Sequence, residues 1–130
     1  MGAFSNYLEN EILDWVNGGV FPSQPSATWV QLFNGSPDET GSGGTGLYTR
    51  VAVAAGGWTR TTGATATITN TTAIVMNASA ATTAYADNFG VFDNSTSGNL
   101  LFYGALAVPK TVSVGDEIRF NASSLTIRVD

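Results

Sequence analysis

The stretch Asp87 to Leu106, DNFGVFDNSTSGNLLFYGAL, constrains the fold more than any other part of the chain. Phe89-Gly-Val-Phe92 and Leu100-Leu-Phe-Tyr-Gly-Ala-Leu106 are apolar runs, and every residue between them, Asp93 to Asn99, favours turns. Two such runs around a turn cluster form a β-hairpin. Neither run alternates apolar with polar, so both faces of the hairpin are expected to be covered. A hairpin buried on two sides is the centre of a core, and the other segments have to pack around it.

Those segments are short strands. Thr28–Phe33, Leu47–Ala54, Thr65–Thr69, Ala73–Met76, Val112–Val114, Glu117–Phe120 and Ser124–Val129 are β-branched or alternating, and Trp58-Thr59 can pair briefly. Turn residues separate them every 8–12 positions, the spacing of an all-β sandwich or barrel. Residues 34–46 (NGSPDETGSGGTG) and 78–83 are expected to be loops, the first of them long enough to be functional or mobile. The one helix is expected at the front. Ser5 can cap it, Leu8, Ile12, Trp15 and Val16 recur at helical spacing, and Gly18-Gly19 ends it. Residues 5–17 would then make an amphipathic helix about 20 Å long, followed by a proline-bounded linker, Phe21–Pro25. The expected architecture is therefore a helix segment, 1–19, followed by a single domain, 20–130. That domain is an antiparallel β-sandwich or jelly-roll-like barrel of about eight strands.

Most chemistry is excluded by composition. The chain has no His and no Cys, which removes the usual general base, the common metal ligands and every Ser-His or Cys-His nucleophile. Five basic residues against ten acidic ones leave a net charge of −5, which argues against nucleic acid and against an anionic membrane. No run is long and apolar enough to span a bilayer, and no basic, then apolar, N-terminal signal is present. Asp93 to Gly98 resembles half of a calcium loop, but the twelfth position, where a bidentate acid is needed, is Gly104. Nothing pairs any two of Asp38, Glu39, Asp87, Asp93, Asp116 and Glu117 as a hydrolase would require. No catalytic residue, metal site or cofactor is expected. Among aromatics with a polar tip, Trp29 and Tyr103 lie inside apolar runs and read as core. Trp58 and Tyr85 are the candidates for stacking on a sugar ring. The helix stripe Leu8, Ile12, Trp15 could pack on the protein's own sheet or dock on a partner, and the acidic loop carrying Asp38 and Glu39 is a second candidate contact.

Three blocks carry a family likeness. They are Phe4-Ser-Asn-Tyr-Leu-Glu-Asn10, Gly46-Leu-Tyr-Thr-Arg50, and Phe89-Gly-Val-Phe-Asp93 with Gly98–Leu106, Pro109-Lys-Thr-Val and Val114-Gly-Asp116. With these in order along it, the chain resembles small virion proteins of tailed bacteriophages, commonly labelled tail-fibre proteins. The resemblance implies a non-enzymatic structural protein of the virion surface, assembled in the host cytoplasm, whose partners are other virion proteins such as the major capsid or tail proteins. A homo-oligomer, for instance a trimer, is compatible with this, though no residue dictates one. One compact domain with no shaft, heptad seam or repeat cannot alone build a long fibre. On that ground a capsid decoration or cement protein is expected ahead of the alternative, a tail-fibre or tail-tip module that binds host-surface glycan.

Overall fold

The computed structural model describes residues 2–77 and 84–129. The chain begins with a short strand, β1 (Gly2–Phe4), and one helix, α1 (Asn6–Val16). Nine strands follow: β2 (Ala27–Asn34), β3 (Thr45–Ala54), β4 (Trp58–Thr61), β5 (Ala66–Asn70), β6 (Ile74–Asn77), β7 (Ala84–Phe92), β8 (Leu100–Val112), β9 (Glu117–Phe120) and β10 (Thr126–Val129). One layer is the five-stranded sheet β1-β8-β7-β2-β3. The three-stranded sheet β10-β5-β4 and the pair β6-β9 make the other. Every pairing is antiparallel, so the all-β, sandwich-like architecture is as expected.

The described strands number ten rather than about eight. Gly2–Phe4 is too short to show a pattern. It becomes a strand because it pairs with the middle of β8, with Ala3 opposite Tyr103 and Phe4 opposite Phe102. Val112–Val114 is not a separate strand. β8 continues to Val112, and Ser113–Asp116 is a turn in which the Asp116 carboxylate accepts from Ser113 N at 3.0 Å. Pro109 fits inside β8 because Asn88 pairs with Ala105 and Ala86 with Lys110, which leaves Leu106 to Pro109 bulged opposite Asp87. A proline in a bulge forfeits no ladder bond. Residues 78–83, expected to be a loop, lie outside the described residues.

The hairpin β7-β8 is the centre of the fold. Phe89 and Val91 face the main core with Val30, Leu32, Ile74, Met76, Ile118 and Ile127. On the other face Phe92 packs with Phe33 and Leu100 in a second small core. Both faces of the first run are thus buried, which is why it lacks alternation. The loop 35–44 folds back over this second core. Pro37 is fully buried, and a side chain at Gly41 would press on Leu100. The loop is therefore partly a lid on apolar side chains, not only a solvated excursion.

Candidate functional site

The N-terminal surface is held by Ser5. Its backbone is extended (φ −78°, ψ 161°), and its Oγ accepts from Leu8 N at 3.2 Å as the helix cap. The same hydroxyl donates to the Leu100 carbonyl. Ser5 N donates to Leu101 O at 3.0 Å and Asn6 N to Glu39 O at 2.9 Å. Three distant segments, the helix start, the 35–44 loop and the head of β8, are thereby tied at one point. The helix ends as its glycines demand: Gly18 takes φ +97°, and Gly19 N donates to Asp14 O at 2.9 Å.

The apolar stripe of α1 divides. Leu8 and Ile12 are half-buried, and the helix packs on β8 and β1. Trp15 is 58% exposed, and beside it in sequence Leu13 is 66% and Val16 71% exposed. Val20 and Phe21, just past the helix, are exposed as well. Leu13 and Val16, nearly one turn apart, share an exposed face, and large apolar residues exposed together in this way mark an interaction surface. Next to it lies a groove of about 500 Å³ between α1, the 21–25 linker and β8, floored by Leu8, Phe21, Pro22, Leu101 and Phe102. Among the described residues, its only charged lining side chains are Glu11 and Asp93. Sequence reading missed this groove, although Val20-Phe21, two apolar residues stranded between a helix stop and a proline, were the available signal.

The acidic loop joins the same surface. Asp38 takes φ +55° and accepts from Thr40 N at 2.8 Å and from Thr40 Oγ1 at 2.5 Å. Those bonds hold its carboxyl below the ordinary carboxylate value. At the far end of the loop, Asp87 accepts from Gly35 N at 2.8 Å. Burial pushes the Tyr103 hydroxyl up, and Glu39, Glu9 and Asp38 push it further. Tyr7 is raised by burial, then by Glu11 and Asp93. Tyr7 lines one groove with Glu11 and Asp93 and another with Glu39, so acids from the helix, the hairpin and the loop gather on one surface. The sequence explains the sign, since the first 49 residues carry five carboxylates and no Lys or Arg, while the rest of the chain balances.

The two aromatics considered for sugar stacking lie elsewhere and apart. Trp58 opens β4 and is half-buried; its ring packs on the main core and its Nε1 donates to Thr28 Oγ1 at 2.8 Å. Tyr85, near the start of β7, is 46% exposed. Among the described residues no three acids are placed to hold a metal ion, and no helix is long and apolar enough to cross a membrane.

The three sequence blocks converge in space. Ser5 of the first bonds to Leu100 and Leu101 of the third. Arg50 of the second lies over the Phe92 ring at 3.5 Å and donates to the carbonyls of Asn94 and Ser97 at 2.8 and 2.7 Å. No curated protein matches the chain. A family model described as podophage GP4 fiber I protein gp80 matches residues 3–128, which takes in all three blocks. The chain therefore belongs to this Gp80 family of phage fibre proteins, and it is a structural protein of the phage virion.

Proposed function

We propose that the chain is a non-enzymatic fibre module of the tail, joined to the virion through its N-terminal surface. The observation that carries this is the exposed apolar end of α1 and the linker, set among carboxylates from three segments. Such a surface suits a partner protein that presents apolar side chains flanked by Lys or Arg. The family description favours the tail. A capsid decoration or cement role would use the same surface on a different partner, so location is a question of where the copies sit.

Leu13→Asp with Val16→Asp tests the surface. Both side chains are exposed and neither fills the core, so the variant is expected to fold. In particles produced with it, the protein is expected to fall at least tenfold, as read by mass spectrometry of purified phage. Incorporation at the normal level would remove α1 from the interface. Deleting residues 1–19 is a poorer test, because it also removes β1 from the five-stranded sheet.

A further inference from the structure

We infer that the partner of the N-terminal surface is a second copy of this chain, which receives it in a basic groove at the other half of β8. This rests on the N-terminal surface being an interface, as proposed above.

The groove has a volume of about 390 Å³ and runs between the bulged part of β8, the end of β9 and the Asn121–Thr126 segment. Phe89, Leu106, Val108, Phe120 and Leu125 make it apolar, and Val108 is 69% exposed. Among the described residues, its only charged lining side chains are Lys110 and Arg119. Lys110 Nζ sits 5.9 Å from the centre of the Phe120 ring, and Arg119 Nε donates to Asn121 Oδ1 at 3.1 Å. Neither cation is neutralised within the groove, although Glu117 shares the outward face of β9 with Arg119. Lys110 and Arg119 are both exposed.

The two surfaces complement each other in both respects that matter. One is an exposed helix face on which Glu9 lies one turn before Leu13 and two before Val16, with Asp14 and Trp15 exposed further round the same helix end. The other is a concave apolar site edged by two cations. They cannot meet in one molecule: α1 packs on β1 and the head of β8, and no residue of α1 lines the basic groove. Leu101 and Val108 are seven residues apart on one strand, at most about 23 Å. An acidic knob and a basic socket at different ends of one strand make a heterologous, head-to-tail contact. Repeated, such a contact gives a ring or a filament. This also resolves how a compact domain with no shaft belongs to a fibre family.

The test uses the full chain alone. Sedimentation equilibrium from low to high micromolar concentration is expected to show a mass rising above the 13.5 kDa protomer, and less so at high salt. Lys110→Glu with Arg119→Glu makes both surfaces acidic, and Glu9→Lys with Asp14→Lys sets two cations at the helix end against a groove that keeps its own two. Each variant is expected to stay at the protomer mass, and an equimolar mixture to associate above it, because each then offers what the other lacks. Recovery on mixing also shows that both variants fold. A wild-type chain that stays monomeric overturns the proposal, as does wild-type assembly by either variant alone or a mixture that fails to recover. If the chain is monomeric while Leu13→Asp with Val16→Asp still abolishes incorporation, the surface is an interface but its partner is another virion protein.

Discussion

Asn70→Ala is expected to destabilise the fold by about 3 kcal/mol, lowering the melting temperature by on the order of 10 °C. Asn70 is fully buried at the end of β5 and joins two turns that are remote in sequence. Its Oδ1 accepts from Leu125 N at 2.9 Å, and its Nδ2 donates to Thr72 O at 2.8 Å and Asn121 O at 2.9 Å. Its own carbonyl accepts from Ser123 N at 2.8 Å. Removing the amide leaves the buried Leu125 N–H without its acceptor, and an unsatisfied buried donor costs more than a satisfied bond gains. Asn70→Asp keeps the acceptor but turns a carboxylate toward two carbonyls. Burial with no cation raises the folded-state pKa of that acid above its unfolded value. The variant is therefore most stable at low pH and loses stability as pH rises above the unfolded-state value of about 4. Thermal melts of both variants at pH 4 and pH 7 check this. A melting temperature within 2 °C of wild type for Asn70→Ala would remove Asn70 from its assigned place.

Arg50→Ala is expected to cost about 2 kcal/mol, and to loosen one turn selectively. β3 carries a bulge opposite Gln31, since Leu47 pairs with Leu32 and Val51 with Val30. Tyr48 takes φ +61° within it, and a bulge of this kind re-aims the side chains that follow. Arg50 consequently lies over the Phe92 ring, with its Nε on Gln31 Oε1 at 3.0 Å and one terminal nitrogen on both turn carbonyls. Burial lowers its pKa and Asp93 opposes this, yet a guanidinium stays charged. Without it the 93–99 turn keeps only its internal bonds, chiefly those of Asp93 to Asn99 N at 2.7 Å and Asn99 Nδ2 at 2.9 Å. Amide exchange of residues 94–98 should speed at least tenfold in Arg50→Ala while the β5-β10 pairing keeps its protection. Arg50→Lys should behave like the alanine variant, because an ammonium lacks the planar fork. Equal loosening across both layers would show a global effect instead.

What was legible in the sequence was local. The Ser5 cap, the glycine stop and the hairpin each depend on residues close in sequence, and the absence of alternation in Phe89–Phe92 was enough to predict a strand covered on both faces. What was not legible depends on pairings across the chain. β1 exists because β8 offers it an edge. Asn70 looks like any Asn in a turn until Leu125 is placed beside it. The stripe of α1 gave the correct helix but not how it divides, since Leu8 and Ile12 find the sheet and Trp15 does not. The grooves are made by segments that meet only in the fold, and so is the meeting of acids from residues 11, 39 and 93 on one surface.

The measurement that bears most directly on a tail-fibre role is the number of copies per purified particle, by quantitative mass spectrometry against the major capsid protein. A fibre module of the tail is expected at a few per cent of the capsid protein or less. An amount comparable with the capsid protein would contradict the tail assignment and place the same N-terminal surface on the capsid lattice.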